Sequence, residues 1–168
     1  MAKLSDELKE AILSLPTKEK NKLLLRLIAK DELLTDQLQY KLLENTPSDL
    51  KFRQQEVQDQ IDFTSGRLTL KQILTYFRTF SGKINRFAKV TKDKQSELEL
   101  WKYLCEAALI AFKQYRATLR DSQLKPKFKE NALKKISKMY TLLEGLHEDY
   151  HLEYMDDLKQ LEKDYKQL

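Results

Sequence analysis

Glycine, proline and cysteine are scarce in this chain, with three Gly, three Pro and one Cys in 168 residues. Hairpins, bulges and tight turns depend on the first two, so a sheet-rich fold is disfavoured and an all-α fold is predicted. One cysteine excludes an intramolecular disulfide framework and fits a reducing compartment. Long apolar runs are missing too. The longest aliphatic stretch, residues 23–29, is interrupted by Arg26, whereas about 20 apolar residues are needed to cross a bilayer. The first residues, Met-Ala-Lys-Leu-Ser-Asp-Glu, lack the basic and apolar segments of a secretory signal. The expectation is a soluble, cytoplasmic protein without membrane association.

What is present is helical periodicity. Ser5 is a candidate cap for a first helix carrying Leu8, Ile12 and Leu15 and stopping at Pro16, and Thr17 is the candidate cap of a second. In that second helix Leu23, Leu24, Leu27 and Ile28 oppose Lys18, Lys22, Arg26 and Lys30. A third is expected from Asp31 to Asn45 with Leu34, Leu38 and Leu42. Thr46-Pro47-Ser48-Asp49 combines a cap, a proline at the first helical position and an acid three residues after the cap. The helix it opens should carry Leu50, Val57, Ile61 and Phe63 and end at Thr64-Ser65-Gly66. Thr69 with Gln72 forms a second capping box, before a helix stepping through Leu70, Ile73, Phe77, Phe80, Ile84 and Phe87, with Gly82 as a candidate kink.

Two longer patterns follow. Leu98, Trp101, Cys105, Ala108, Phe112, Tyr115 and Leu119 alternate steps of three and four, as do Leu133, Ile136, Tyr140, Leu143, His147, Tyr150, Tyr154, Leu158, Leu161, Tyr165 and Leu168. Pro126 marks the expected start of the last helix, and Gly145 is the one obvious place for it to break. The predicted architecture is all-α: short N-terminal helical hairpins over residues 1–66, with a solenoid-like rhythm, packed against a bundle of three longer helices over residues 67–168, together one compact unit. Leu24, Leu27, Leu38, Leu42, Phe77, Phe87, Trp101, Cys105, Phe112, Ile136 and Leu143 are its expected core.

Charge is segregated along the chain. Residues 67–94 hold eight bases and one acid, residues 113–138 nine bases and two acids, and residues 139–168 three bases and eight acids. Lys71, Arg78, Arg86 and Lys89 share one stripe of the helix after Thr69, and Arg116 and Arg120 add to the second basic segment. Such a face is a candidate for nucleic acid or another anionic surface, because clustered bases release counterions from phosphates. The acidic tail is a candidate internal partner for the same face.

The only histidines fall in His147-Glu148-Asp149-Tyr150-His151, a formal HExxH pattern. On one helix such histidines point the same way and share a metal while the glutamate serves as base. Overlapping Glu144…His147 and Glu148…His151 pairs also resemble the ligand pairs of metal-binding bundles, with Glu106 a possible contributor from another helix. A divalent metal is therefore one alternative. No third ligand has a turn to bring it back, however, and the expectation that ranks first leaves both histidines structural, with His147 in the seam. Cys105 sits in an apolar seam, no glycine-rich phosphate loop exists, and no Ser/His/acid set can be assembled, so neither an enzyme nor a cofactor is expected. The leading expectation is a protein-interaction or scaffold module. Its interaction seam would be Tyr150, Tyr154, Leu158, Leu161 and Tyr165, extending past the core toward a partner protein or a second copy.

Overall fold

The structure is a computed structural model and describes residues 4–44, 46–64, 68–115 and 121–168. Among them lie eight α-helices and no strand: α1(Asp6–Ser14), α2(Thr17–Ile28), α3(Glu32–Leu43), α4(Pro47–Asp59), α5(Leu70–Thr91), α6(Lys94–Gln114), α7(Asp121–Glu144) and α8(Glu148–Lys166). The local signals explain most of the boundaries. Ser5, Asp31, Thr46 and Thr69 each accept a backbone N–H of the first turn, and both expected capping boxes are closed at Thr46/Asp49 and Thr69/Gln72. Thr17 does not cap α2. It is the first helical residue, with Pro16 in the cap position, where a missing N–H removes nothing from the helix.

Three other boundaries differ from or sharpen the pattern reading. α4 ends at Asp59, so Ile61 and Phe63 lie beyond it, yet both are buried and Phe63 meets Tyr76 and Phe80 edge-on at 6.2 and 5.5 Å. α5 runs uninterrupted through Gly82. α7 starts by Asp121, so Pro126 lies inside it, giving up the one backbone bond that would reach the exposed first-turn residue Ser122. The C-terminal pattern divides at Gly145, the one obvious place for a break, into two helices. Gly145 and Leu146 fold back on the carbonyls of Leu142 and Leu143, and the chain restarts as α8. The bundle therefore has four long helices among the described residues, each packed on the next and the next but one.

α5 packs on α6, α6 on α7 and α7 on α8, while α8 also touches α6. Along this bundle runs a continuous core with Trp101, Tyr165, Phe128, Leu98, Leu104, Ile136, Met139, Leu143 and Leu158 withdrawn from solvent. Phe112 stacks on Phe128 at 5.2 Å, and the Tyr165 hydroxyl donates to the Cys105 carbonyl at 2.7 Å, satisfying a polar tip at the bundle centre. Of the expected core, Phe77, Phe87, Trp101, Cys105, Phe112, Ile136 and Leu143 are buried. Leu24, Leu27 and Leu42 are not. They are more than half exposed, and Leu38 is half-buried, because α2 packs chiefly on α3 and nothing lies over their outer faces.

α3 and α4 lean on α5, and α4 also on α6. Polar ties accompany that packing: Gln37 donates to the Lys89 carbonyl at 2.8 Å, Gln54 to Glu99 at 2.6 Å, and Arg53 bridges back to Glu44 between α3 and α4. The expected boundary at residue 66 falls outside the described residues. No described helix is long and apolar enough to cross a membrane.

Candidate functional site

The HExxH segment does not lie on one helix. His147 is the cap of α8 with extended backbone (φ −64°, ψ 151°), and its Nδ1 accepts the Asp149 N–H at 3.4 Å and lies 3.2 Å from the Asp149 carboxylate. The four-residue helical spacing that would aim His147 and His151 together is absent, since the first of them precedes the helix. Glu144 ends α7 and Glu148 opens α8, so the four candidate ligands are spread over two helices and the join between them. No group of three His, Cys, Asp or Glu side chains gathers as a metal would require among the described residues. The expectation that His147 sits in the seam is also corrected: its side chain is 73% exposed.

The C-terminal seam is placed inward. Tyr154, Leu158, Leu161 and Tyr165 are buried between α8 and its neighbours, and Tyr150 is half-buried. They complete the core and present no face to a partner. The Tyr154 hydroxyl donates to Glu99 at 2.7 Å, and burial together with that carboxylate raises its pKa. Glu106 is beside α8 rather than the histidines, lining an open cleft of about 330 Å³ with Asp157 and Asp164; burial raises its pKa, with Lys102 opposing.

The basic residues divide. Arg86 is taken by α3, pairing with Asp36 at 2.6 Å and Glu32 at 3.4 Å, so the internal partner of that residue is α3 and not the acidic tail. Lys71, Arg78 and Lys89 are exposed and make no ion pair among the described residues. Arg116 and Arg120 lie outside the described residues.

A polar cluster at the heart of the bundle escaped the pattern reading. Glu97 is buried and accepts the Trp101 indole N–H at 3.1 Å while pairing with Lys138 at 2.5 Å. Lys135 and Lys138 stand 4.5 and 4.9 Å from the centre of the Trp101 ring. Burial, then the neighbouring Lys138, lowers the Lys135 pKa. The sequence held one signal for it, an acid four residues before the only tryptophan. Cys105 lies in the same region, and burial pushes its thiol far up, leaving no thiolate for nucleophilic work. Every partner of Glu97 is a group of the fold itself, which describes a structural knot, not a substrate site.

The second feature missed is the surface of the N-terminal helices. α1 to α4 contribute no fully buried residue. Eight leucines of α1–α3 are exposed, namely Leu8, Leu13, Leu24, Leu25, Leu27, Leu34, Leu42 and Leu43, whereas the four long helices expose only Tyr103, Ile110 and Leu152 among large apolar side chains. Leu34 and Leu38 line a groove of about 510 Å³ with Tyr40 and Val90, rimmed by Lys41 and Lys92. Comparison with protein-family models, with curated proteins and with solved structures finds no match.

Proposed function

We propose that this protein is a non-enzymatic helical scaffold that assembles with a second copy of itself through the leucine face of α1–α3. One observation carries the reading: eight leucines of α1–α3 are exposed on helices that bury nothing of their own, beside a bundle whose core is filled. Isolated exposed leucines are ordinary, but eight of them on three short helices, against three large apolar side chains exposed on the four long ones, is the kind of concentration that marks an interface. Charge favours a second copy as the occupant. α1 carries three acids and one base and α2 four bases and one acid, so an isologous pairing lays the acidic helix of each protomer against the basic helix of the other. This replaces the C-terminal seam as the association surface, since that seam is used within the chain.

Sedimentation velocity and light scattering over a concentration series test the reading. The expected result is a dimer that dissociates in the micromolar range and weakens in high salt, and a monomer for Leu24→Glu with Leu27→Glu at unchanged helix content. A wild-type monomer at several hundred micromolar, or a dimer indifferent to both substitutions, overturns it.

A further inference from the structure

The fold brings the two basic segments of the sequence together. α5 contains no acidic residue in its whole length. Lys71, Arg78, Asn85 and Lys89 recur on one side of it, at intervals of whole or near-whole turns. On α7, Lys127, Asn131, Lys134 and Lys138 recur at i, i+4, i+7 and i+11. Lys138 donates to Asn85 at 3.3 Å, and Phe77 meets Phe128 at 6.1 Å one stretch earlier, so the helices run parallel and the two stripes border one seam. Of these bases, Lys138 is held by Glu97 and Lys134 by Glu130, while Lys71, Arg78, Lys89 and Lys127 have no ion pair among the described residues. The acid-rich α8 packs on α7 and α6 rather than on α5, so its acids lie away from this face.

We propose that the α5/α7 face binds the phosphate backbone of double-stranded DNA. Three features select that partner. No large apolar side chain of α5 or α7 is exposed, which removes the buried apolar face an interfacial helix needs on an anionic bilayer. Phe77, Phe80 and Phe87 are buried, which removes the stacking platforms that single strands use. The basic row from Lys71 to Lys89 is about 27 Å long at about 1.5 Å per residue, the span of about eight base pairs at about 3.4 Å each, and Lys127 stands on the neighbouring helix. Three such bases in a straight row with Lys127 beside them suit the regular phosphate spacing of a stiff duplex better than a flexible single strand. Recognition is of the backbone, without base readout.

Fluorescence anisotropy with a mixed-sequence 24-base-pair DNA tests this on the full chain. Four phosphate contacts give a slope of about −3.6 in log affinity against log salt, so affinity falls about 100-fold between 50 and 200 mM salt. The triple variant Lys71→Glu, Arg78→Glu, Lys127→Glu is expected to lose at least tenfold in affinity at low salt. The matched variant Lys113→Glu, Lys159→Glu, Lys163→Glu changes net charge equally on other helices and is expected to lose less than threefold. All six positions are exposed, and circular dichroism establishes that both variants fold. Absence of binding, equal losses in the two triple variants, or tighter binding to phosphatidylserine vesicles or to duplex RNA of the same length overturns the proposal.

Discussion

α2 and α8 carry the same kind of pattern, leucines and other apolar residues returning every third or fourth position, and the fold treats them in opposite ways. Tyr154, Leu158, Leu161 and Tyr165 of α8 are covered by α6 and α7, whereas Leu24, Leu25 and Leu27 of α2 face water. Length and connection account for the difference. α5 to α8 run 19 to 24 residues, so that neighbours meet over several turns and seal a shared core. α2 has 12 residues and chiefly one neighbour, α3, which covers one side of it. Periodicity therefore identifies which side of a helix is apolar but not what comes to cover it. The apolar side left uncovered beside a finished core is what the proposed pairing of two copies would cover.

The contrast is broken most severely from inside the bundle. Trp101 is wholly buried, and Trp101→Ala removes its packing and leaves Glu97 without the indole donor, so a loss of about 3–5 kcal/mol in urea unfolding is expected. A loss below about 1 kcal/mol would mean that the bundle core is not the centre of stability. Next comes the knot around that ring. Glu97→Ala strands the Trp101 N–H and leaves Lys135 and Lys138 close together without their acid, with an expected cost of about 2–3 kcal/mol. Glu97→Gln keeps an acceptor for the indole, so its cost should be clearly smaller. Equal costs for the two variants would show that the charge, not the hydrogen bond, holds the site.

Much of the fold was legible in the sequence because its signals are local. A Thr with an acid or amide three residues on closes a capping box whatever lies around it, and Gly145 interrupts a helix by itself. The candidate sites were less legible because they depend on approach between distant segments. His147 fits a metal motif by spacing but serves as a cap, since the break at Gly145 moves it out of the helix. Arg86 belongs to the basic stripe by periodicity and is removed from it by Asp36, fifty residues earlier. Lys127 joins that stripe only because α7 lies parallel to α5.

A smaller effect sharpens the comparison at the joint between the two regions. Arg53 hydrogen-bonds Glu44 and holds its carboxyl below the usual glutamate range, burial opposing. A carboxyl with a depressed folded pKa adds stability above its unfolded pKa, near 4.3, and loses it as pH falls through the lower folded value. Glu44→Gln should thus cost up to about 1 kcal/mol at pH 7, with the gap from wild type narrowing at an acid pH below about 4.3. Urea unfolding of both proteins at the two pH values measures it, and a gap that persists in acid removes the ion pair as its cause.

The smallest change in stability is expected where the leucine is most exposed to scrutiny, on α2. Leu25 is 67% exposed, and glutamine has nearly the same helix propensity as leucine. Leu25→Gln should therefore alter the unfolding free energy by no more than about 0.5 kcal/mol when measured at protein concentrations below those at which copies associate. That condition matters, because association stabilises the folded form by mass action and would mix the two effects. At high concentration the same substitution should weaken the dimer about tenfold or more, since a side chain that packs against nothing in one chain has its apolar surface covered in two. A large loss of monomer stability would place Leu25 in an intramolecular core, and an unchanged dimer would place the interface elsewhere on the molecule.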